Sequence, residues 1–170
     1  INLKSIFFQN FATKSGGVLY GFLLENLFNI QCILMKNTAY IDGGCLFVES
    51  LLFLCNNQSI FRGNHAVKFG PGGIREKPMG DGGAIFVDNN SPFLYMLNID
   101  SEFSYNYGSK YGGAIVAERL HQMYSKNCSF HKNTASNAGA AVFVEQTEIL
   151  RNLNNNFTEN FVYSRRGSLY

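Results

Sequence analysis

The sequence predicts an all-β chain wound as a parallel solenoid, and three observations predict it. First, six tetrapeptides ending in asparagine recur, at Phe7–Asn10, Leu34–Asn37, Phe61–Asn64, Phe103–Asn106, Phe130–Asn133 and Phe157–Asn160. Their asparagines stand 27, 27, 42, 27 and 27 residues apart, so one interval is long by 15. Second, a small pair follows each asparagine by six and seven residues: Gly16-Gly17, Gly43-Gly44, Gly112-Gly113, Gly139-Ala140 and a decayed Arg166-Gly167. In the long interval the pair is displaced by 12 residues, to Gly82-Gly83, and the other 3 residues fall near Asn89–Pro92. Third, a second asparagine column, Asn2, Asn29, Asn56, Asn98, Ser125 and Asn152, stands eight residues before the first, Asn10, Asn37, Asn64, Asn106, Asn133 and Asn160. A fixed internal period is the signature of a repeat architecture.

The unit itself excludes a helical repeat. It holds β-branched and aromatic runs, Gly-Gly breaks and no stretch of 3.6 periodicity. Twenty-seven residues suit one turn of a solenoid with about three short strands, and about six such turns, stacked at ~4.8 Å, make a rod of ~29 Å. Like positions must then stack on like. Ten residues before the marker the column is aliphatic (Leu27, Leu54, Met96, Met123, Leu150), and five before it is small (Ser5, Cys32, Ser59, Ser101, Cys128, Asn155). Three before it is Phe or Leu, and two after it is mostly alanine (Ala12, Ala39, Ala66, Gly108, Ala135, Val162). Large over large and small over small fills a solenoid bore. The asparagines suit left-handed turns and can stack their amides along the rod.

The whole chain, 1–170, reads as one solenoid segment with loop insertions at 70–81 and near 89–92. Its formal net charge of +2 gives no electrostatic footprint for nucleic acid, and its 46% apolar share excludes a disordered tail. The longest apolar stretch, Cys45–Cys55, is broken by Glu49-Ser50 and falls short of the ~18 residues a membrane span needs. The repeat starts and stops mid-turn with no cap, so a longer parent chain is expected.

The FxxN tetrapeptide with a following GGAI, as in Gly82–Ile85 and Gly112–Ile115, resembles the repeat of polymorphic outer-membrane proteins. It is similar more broadly to the right-handed, single-stranded parallel β-helix, or pectin-lyase-like, repeats of large protist surface proteins. The resemblance implies a secreted or surface-displayed protein with a structural or adhesive role. It is weak on activity, because the same solenoid hosts lyases, hydrolases and inert stalks.

Candidate sites follow from the columns. After the glycine pair runs a strand with aromatic third positions (Tyr20, Phe47, Phe86, Phe143, with Val116) and acidic fifth positions (Glu49, Asp88, Glu118, Glu145). Alternation sets acids and aromatics on one face. Three readings stay open: a bulge that returns the aromatics to the core with solvated acids, an exposed stripe for another chain, and a ligand surface with sugar on the rings and calcium on a carboxylate ladder. No cofactor is otherwise indicated. A second candidate is an apolar flank of the early turns, Ile6/Phe8, Ile33/Met35 and Ile60/Arg62, where the late turns carry Glu102/Ser104, Ser129/His131 and Asn156/Thr158. It suggests a partner: another protein chain or a further segment of the parent.

The loop at 70–81 lacks the Gly-Lys-Ser/Thr of a phosphate loop and reads as a tolerated excursion. No paired Asp-Asp set accompanies the acids, and His65, His121 and His131 occupy different columns, so no enzyme is expected within this piece. Carbohydrate binding or cleavage is the alternative function, and an intracellular scaffold the second. Cys32, Cys45, Cys55 and Cys128 read as buried free thiols. Of four N-x-S/T sequons, Asn127, Asn156 and Asn89 are expected outward as glycosylation acceptors, and Asn57 inward and bare.

Overall fold

The computed structural model describes residues 1–67, 80–88 and 94–163. It is a right-handed parallel β-solenoid. Four parallel sheets run along it, one more than three strands per turn would give. Sheet A contains β1 (Asn2–Leu3), β5 (Leu24–Ile30), β9 (Leu51–Asn57), β13 (Leu94–Ile99), β17 (Leu120–Lys126) and β21 (Thr147–Leu153). Sheet B contains β2 (Ile6–Phe8), β6 (Ile33–Met35), β10 (Ile60–Arg62), β14 (Glu102–Ser104), β18 (Ser129–His131) and β22 (Asn156–Thr158). Sheet C contains β3 (Phe11–Ala12), β7 (Thr38–Ala39), β11 (His65–Ala66), β15 (Tyr107–Gly108), β19 (Thr134–Ala135) and β23 (Phe161–Val162). Sheet D has five strands, β4 (Leu19–Gly21), β8 (Leu46–Val48), β12 (Ile85–Val87), β16 (Ile115–Ala117) and β20 (Val142–Val144). The described chain therefore closes five turns and adds three strands of a sixth. Among the described residues no helix is long and apolar enough to cross a membrane.

Three corners of each turn are left-handed, which explains the fourth sheet. The backbone has positive φ at Lys4, Gln31, Gln58, Asp100, Asn127 and Asn154 between sheets A and B. It has it again at Gln9, Lys36, Gly63, Tyr105, Lys132 and Glu159 between B and C, and at the first glycine of each pair before D. The asparagine columns do not take this geometry, contrary to the expectation from sequence: the positive φ falls one residue before the marker and two after the other column. What the asparagines do is turn inward. A non-glycine residue held left-handed costs ~1 kcal/mol, so something inside must fix these corners.

That something is the marker column. The Oδ1 of Asn37 accepts from both the backbone N and Nδ2 of Asn10, at 3.0 and 2.9 Å. The pattern repeats from Asn37 to Asn64, Asn64 to Asn106, Asn106 to Asn133 and Asn133 to Asn160. The second Nδ2 proton reaches a carbonyl one turn back, as Asn106 does to Phe61 at 2.9 Å. Each interior amide thus meets two donors and two acceptors in a space closed to water, as buried polar groups must. The other column bonds from Asn2 through Asn29, Asn56 and Asn98 at 2.8 Å, then to the Ser125 hydroxyl at 3.3 Å. Both ladders cross the 42-residue interval without a break, so the insertions leave the stack intact.

The apolar columns fill the rest. Phe61, Phe103 and Phe130 are fully buried and stack with ring centroids 4.9 Å apart within 5° of parallel, and Phe157 continues the stack at 4.7 Å. In-register parallel strands impose this spacing on any column of like side chains. At the glycine pair the reasons differ by position: Gly82 sits at φ +63°, and a Cβ on Gly83 would stand 2.1 Å from the Gly113 carbonyl oxygen.

Replacing Asn106 by alanine strands the N–H groups of Asn64 and exposes the Phe61 carbonyl to an unfilled space. At 1–3 kcal/mol for each unsatisfied buried group, Asn106→Ala should lower stability by about 3–5 kcal/mol, read from the urea midpoint. Asn10→Ala, at the first turn, should cost under ~1 kcal/mol, because no amide in the described chain donates to the Asn10 oxygen.

Candidate interaction surfaces

The strand after the glycine pair sends its second position into the bore: Leu46, Ile85, Ile115 and Val142 belong to the main core. Its third position points the other way. Phe47, Phe86 and Val116 form a separate cluster with Tyr111 and Phe143 packed against it. No bulge resets the alternation, since the ladder runs on from Val48 and the Glu49 N–H donates to the Gly21 carbonyl at 2.9 Å. The aromatics are nonetheless no open stripe. Phe47 and Phe86 are only 6% and 5% exposed, and Tyr20 alone stands out, at 51%. Tyr111 stacks on Phe143 at 4.4 Å, with the Lys110 ammonium 4.5 Å over its ring. The outer aromatics make a closed second core, not a docking surface.

The acids lie beside them, as alternation requires. The Tyr20 hydroxyl donates to Glu49, and this bond holds the phenol above its ordinary pKa. Glu118 is pushed up to about 7 by burial first, then by the charge of Asp88 and a hydrogen bond with it, with Glu145 and Asp81 adding repulsion. Asp81 is also raised by burial, against the pull of Lys110 and the Tyr111 N–H. Its backbone N–H donates to Asp42 at 2.9 Å, so Asp81 anchors the point where the insertion rejoins the stack. The four predicted calcium ligands form a single file: among the described residues no three His, Cys, Asp or Glu side chains converge on a metal position.

The early flank is apolar as expected, and its residues stack in register: Ile6 on Ile33 on Ile60, and Phe8 on Met35. Ile6 and Phe8 are 69% and 49% exposed, while Ile33, Met35 and Ile60 are half-buried. Arg62 interrupts the column by pairing with Glu102. A larger apolar face was missed in the sequence. On sheet A, the longest strands bury Leu27, Asn29 and their equivalents and turn the alternate residues outward. One outward column is Asn26, Phe53, Tyr95, Gln122 and Ile149; the next is Phe28, Cys55, Leu97, Tyr124 and Arg151; the third is Leu3, Ile30, Asn57, Ile99, Lys126 and Leu153. A shallow hollow of about 120 Å³ opens among Phe53, Tyr95, Leu97, Gln122 and Tyr124. Alternation against the asparagine column, extended over seven residues, was the signal that would have found it.

That column also corrects one sequon. Asn57 shares its direction with exposed Leu3 and Leu153 and is half-buried on the outer face, not inward. Asn127 and Asn156 are exposed, the former donating its amide to Asp100 at 2.9 Å. Asn89, the insertion at 89–92, most of the loop at 70–81 and Arg166-Gly167 lie outside the described residues. All four cysteines are free and buried, and burial raises the thiols of Cys45, Cys55 and Cys128.

The fold and its surfaces define a β-solenoid repeat protein. The family described as Chlamydia polymorphic membrane protein (Chlamydia_PMP) repeat matches residues 100–118, which hold the tetrapeptide Phe103–Asn106, the Gly112–Ile115 turn and Glu118. Comparison with curated proteins gives no match, and neither does comparison with solved structures.

A folded carboxyl titrating near 7 instead of near 4.5 disfavours the fold as pH rises: the native state holds a proton that the unfolded chain has released. The penalty begins above pH ~4.5 and is complete above pH ~7. Discounted for solvent screening, it amounts to ~1 kcal/mol. Glu118→Gln, which supplies the donor without the proton, should raise the melting temperature at pH 8 by a few degrees and leave it unchanged at pH 4.5. The difference between the two proteins across that range isolates this carboxyl.

Proposed function

We propose that the chain is a non-catalytic structural or adhesive segment of a large extracellular or cell-surface protein, working by presenting faces to other chains or to further segments of its own parent. The single observation that carries this reading is the match of the polymorphic membrane protein repeat to residues 100–118 within a rod whose described turns stack the same columns. The rest of the molecule supports it. Interior amides and stacked rings are spent on rigidity, and Glu49, Asp88, Glu118 and Glu145 form a file along the rod instead of a pair across a cleft, the arrangement glycoside cleavage needs. The apolar flank at Ile6 and Phe8 and the outer face of sheet A supply surface for contact.

Brief protease treatment of intact source cells should release peptides of this segment before any cytosolic marker appears. Release only after lysis rejects the surface assignment in favour of an intracellular scaffold. If the route is through a glycosylating secretory pathway, the same peptides should carry glycan at Asn127 or Asn156, read by mass spectrometry with and without deglycosylation.

A further inference from the structure

We propose that the outer face of sheet A is the interface of a two-fold dimer of this chain, with the two rods antiparallel. The partner is a second copy, and three observations select it. The first is area. Seven residues at 3.3 Å and five strands at 4.8 Å give a flat face of about 23 by 24 Å, or ~550 Å² in projection. Side-chain relief brings this toward the ~800 Å² per partner of a standard interface. Two such faces pack as a sandwich ~10 Å apart.

The second observation is composition. The centre of the face is Leu97, bordered by Tyr95, Ile99, Cys55 and Tyr124. Apolar and aromatic side chains fill the centre, and Asn26, Asn57, Gln122, Lys126 and Arg151 stand among apolar neighbours around it, a composition that suits a protein interface.

The third is the placement of charge. Within the three outward columns the charged residues are Lys126 and Arg151, both in the last two turns. A two-fold axis along the rod would set Arg151 against its own copy. An axis parallel to the strands instead reverses the order of turns while keeping each column over itself. It sets Leu97 on Leu97, Arg151 over the ring of Phe28, and Lys126 opposite the Asn57 amide. A guanidinium over an aromatic face is attractive where two guanidiniums repel. The contacts are isologous, each made twice, as a closed dimer requires. Glu25 and Glu148 lie outside these columns at the rim, where Glu148 pairs with His121 at 3.1 Å and water screens the rest.

This proposal rests on the reading of the chain as an assembly element, but the two fail separately: cell-surface proteolysis does not depend on dimerisation. The test is sedimentation equilibrium of the full chain at ~100 µM, far above the Kd of a modest interface. The expected mass is twice 19.0 kDa. Leu97→Arg, which places like charges on the axis, should give a monomer with an unchanged far-ultraviolet circular dichroism spectrum. Phe28→Arg should weaken the dimer at least tenfold, and adding Arg151→Glu should restore it, because the antiparallel register alone brings these positions together. A monomeric wild-type chain, a dimer that survives Leu97→Arg, or failure of the paired change to restore association would overturn the proposal. So would a monomer whose tyrosine fluorescence responds to an oligosaccharide, an outcome that assigns the face to sugar.

Discussion

Everything in this molecule depends on one asparagine oxygen per turn. It accepts two hydrogen bonds at once, from the backbone and the side-chain amide of the turn before. Without it the corner between sheets B and C would leave backbone N–H groups buried and unanswered, and the left-handed residue before it would have no compensation. With it, each turn fixes the phase of the next. Glycine pairs, phenylalanine stacks and alanine columns can repeat only because the turns arrive in the same register.

This explains why the insertions are tolerated where they are. The 15 extra residues of the long interval all enter after the marker of one turn and before the second asparagine column of the next. Asn64 still meets Asn106 and Asn56 still meets Asn98. Chain length can vary freely between fixed points, but not between a marker asparagine and the aromatic three residues before it. The rod is therefore a set of short rigid intervals joined by adjustable ones, and the loops can change without repacking the bore.

Most of the interior was legible in the sequence, because stacking converts a linear period into a spatial column. The two asparagine ladders, the ring stack and the small columns could be written down from spacing alone. The outside was harder to read for a physical reason. Alternation says which way a side chain points, but not whether another residue covers it. Phe47 and Phe86 do point out, yet Tyr111, from the corner before the strand, closes the cluster around them. Asn57 stands outside although its column mates are aliphatic, because an aliphatic column need not face the bore. On sheet A it means an apolar exterior. The fourth sheet is hidden for a related reason: two-residue strands leave almost no pattern, and the left-handed corners before them fall on glutamine, lysine, tyrosine and glutamate, residues that do not advertise a turn, with Gly63 the one exception among them.

The direction of the hydrogen bonds has a mechanical consequence. Backbone and amide bonds alike run along the rod, so tension applied between its ends loads every bond within one inter-turn boundary side by side and loads successive boundaries in series. Such a body does not stretch by sliding strands past one another. It holds until a whole boundary parts, and the boundary that parts first is the one with the least to share the load. One weaker rung within the stack is marked in the sequence. At Ser125 a hydroxyl stands in the amide column, and its 3.3 Å contact with Asn98 is the longest rung of that ladder. Under force the rungs of that ladder do not share the load equally, and the Asn98–Ser125 contact, between the fourth and fifth turns, carries the least of them.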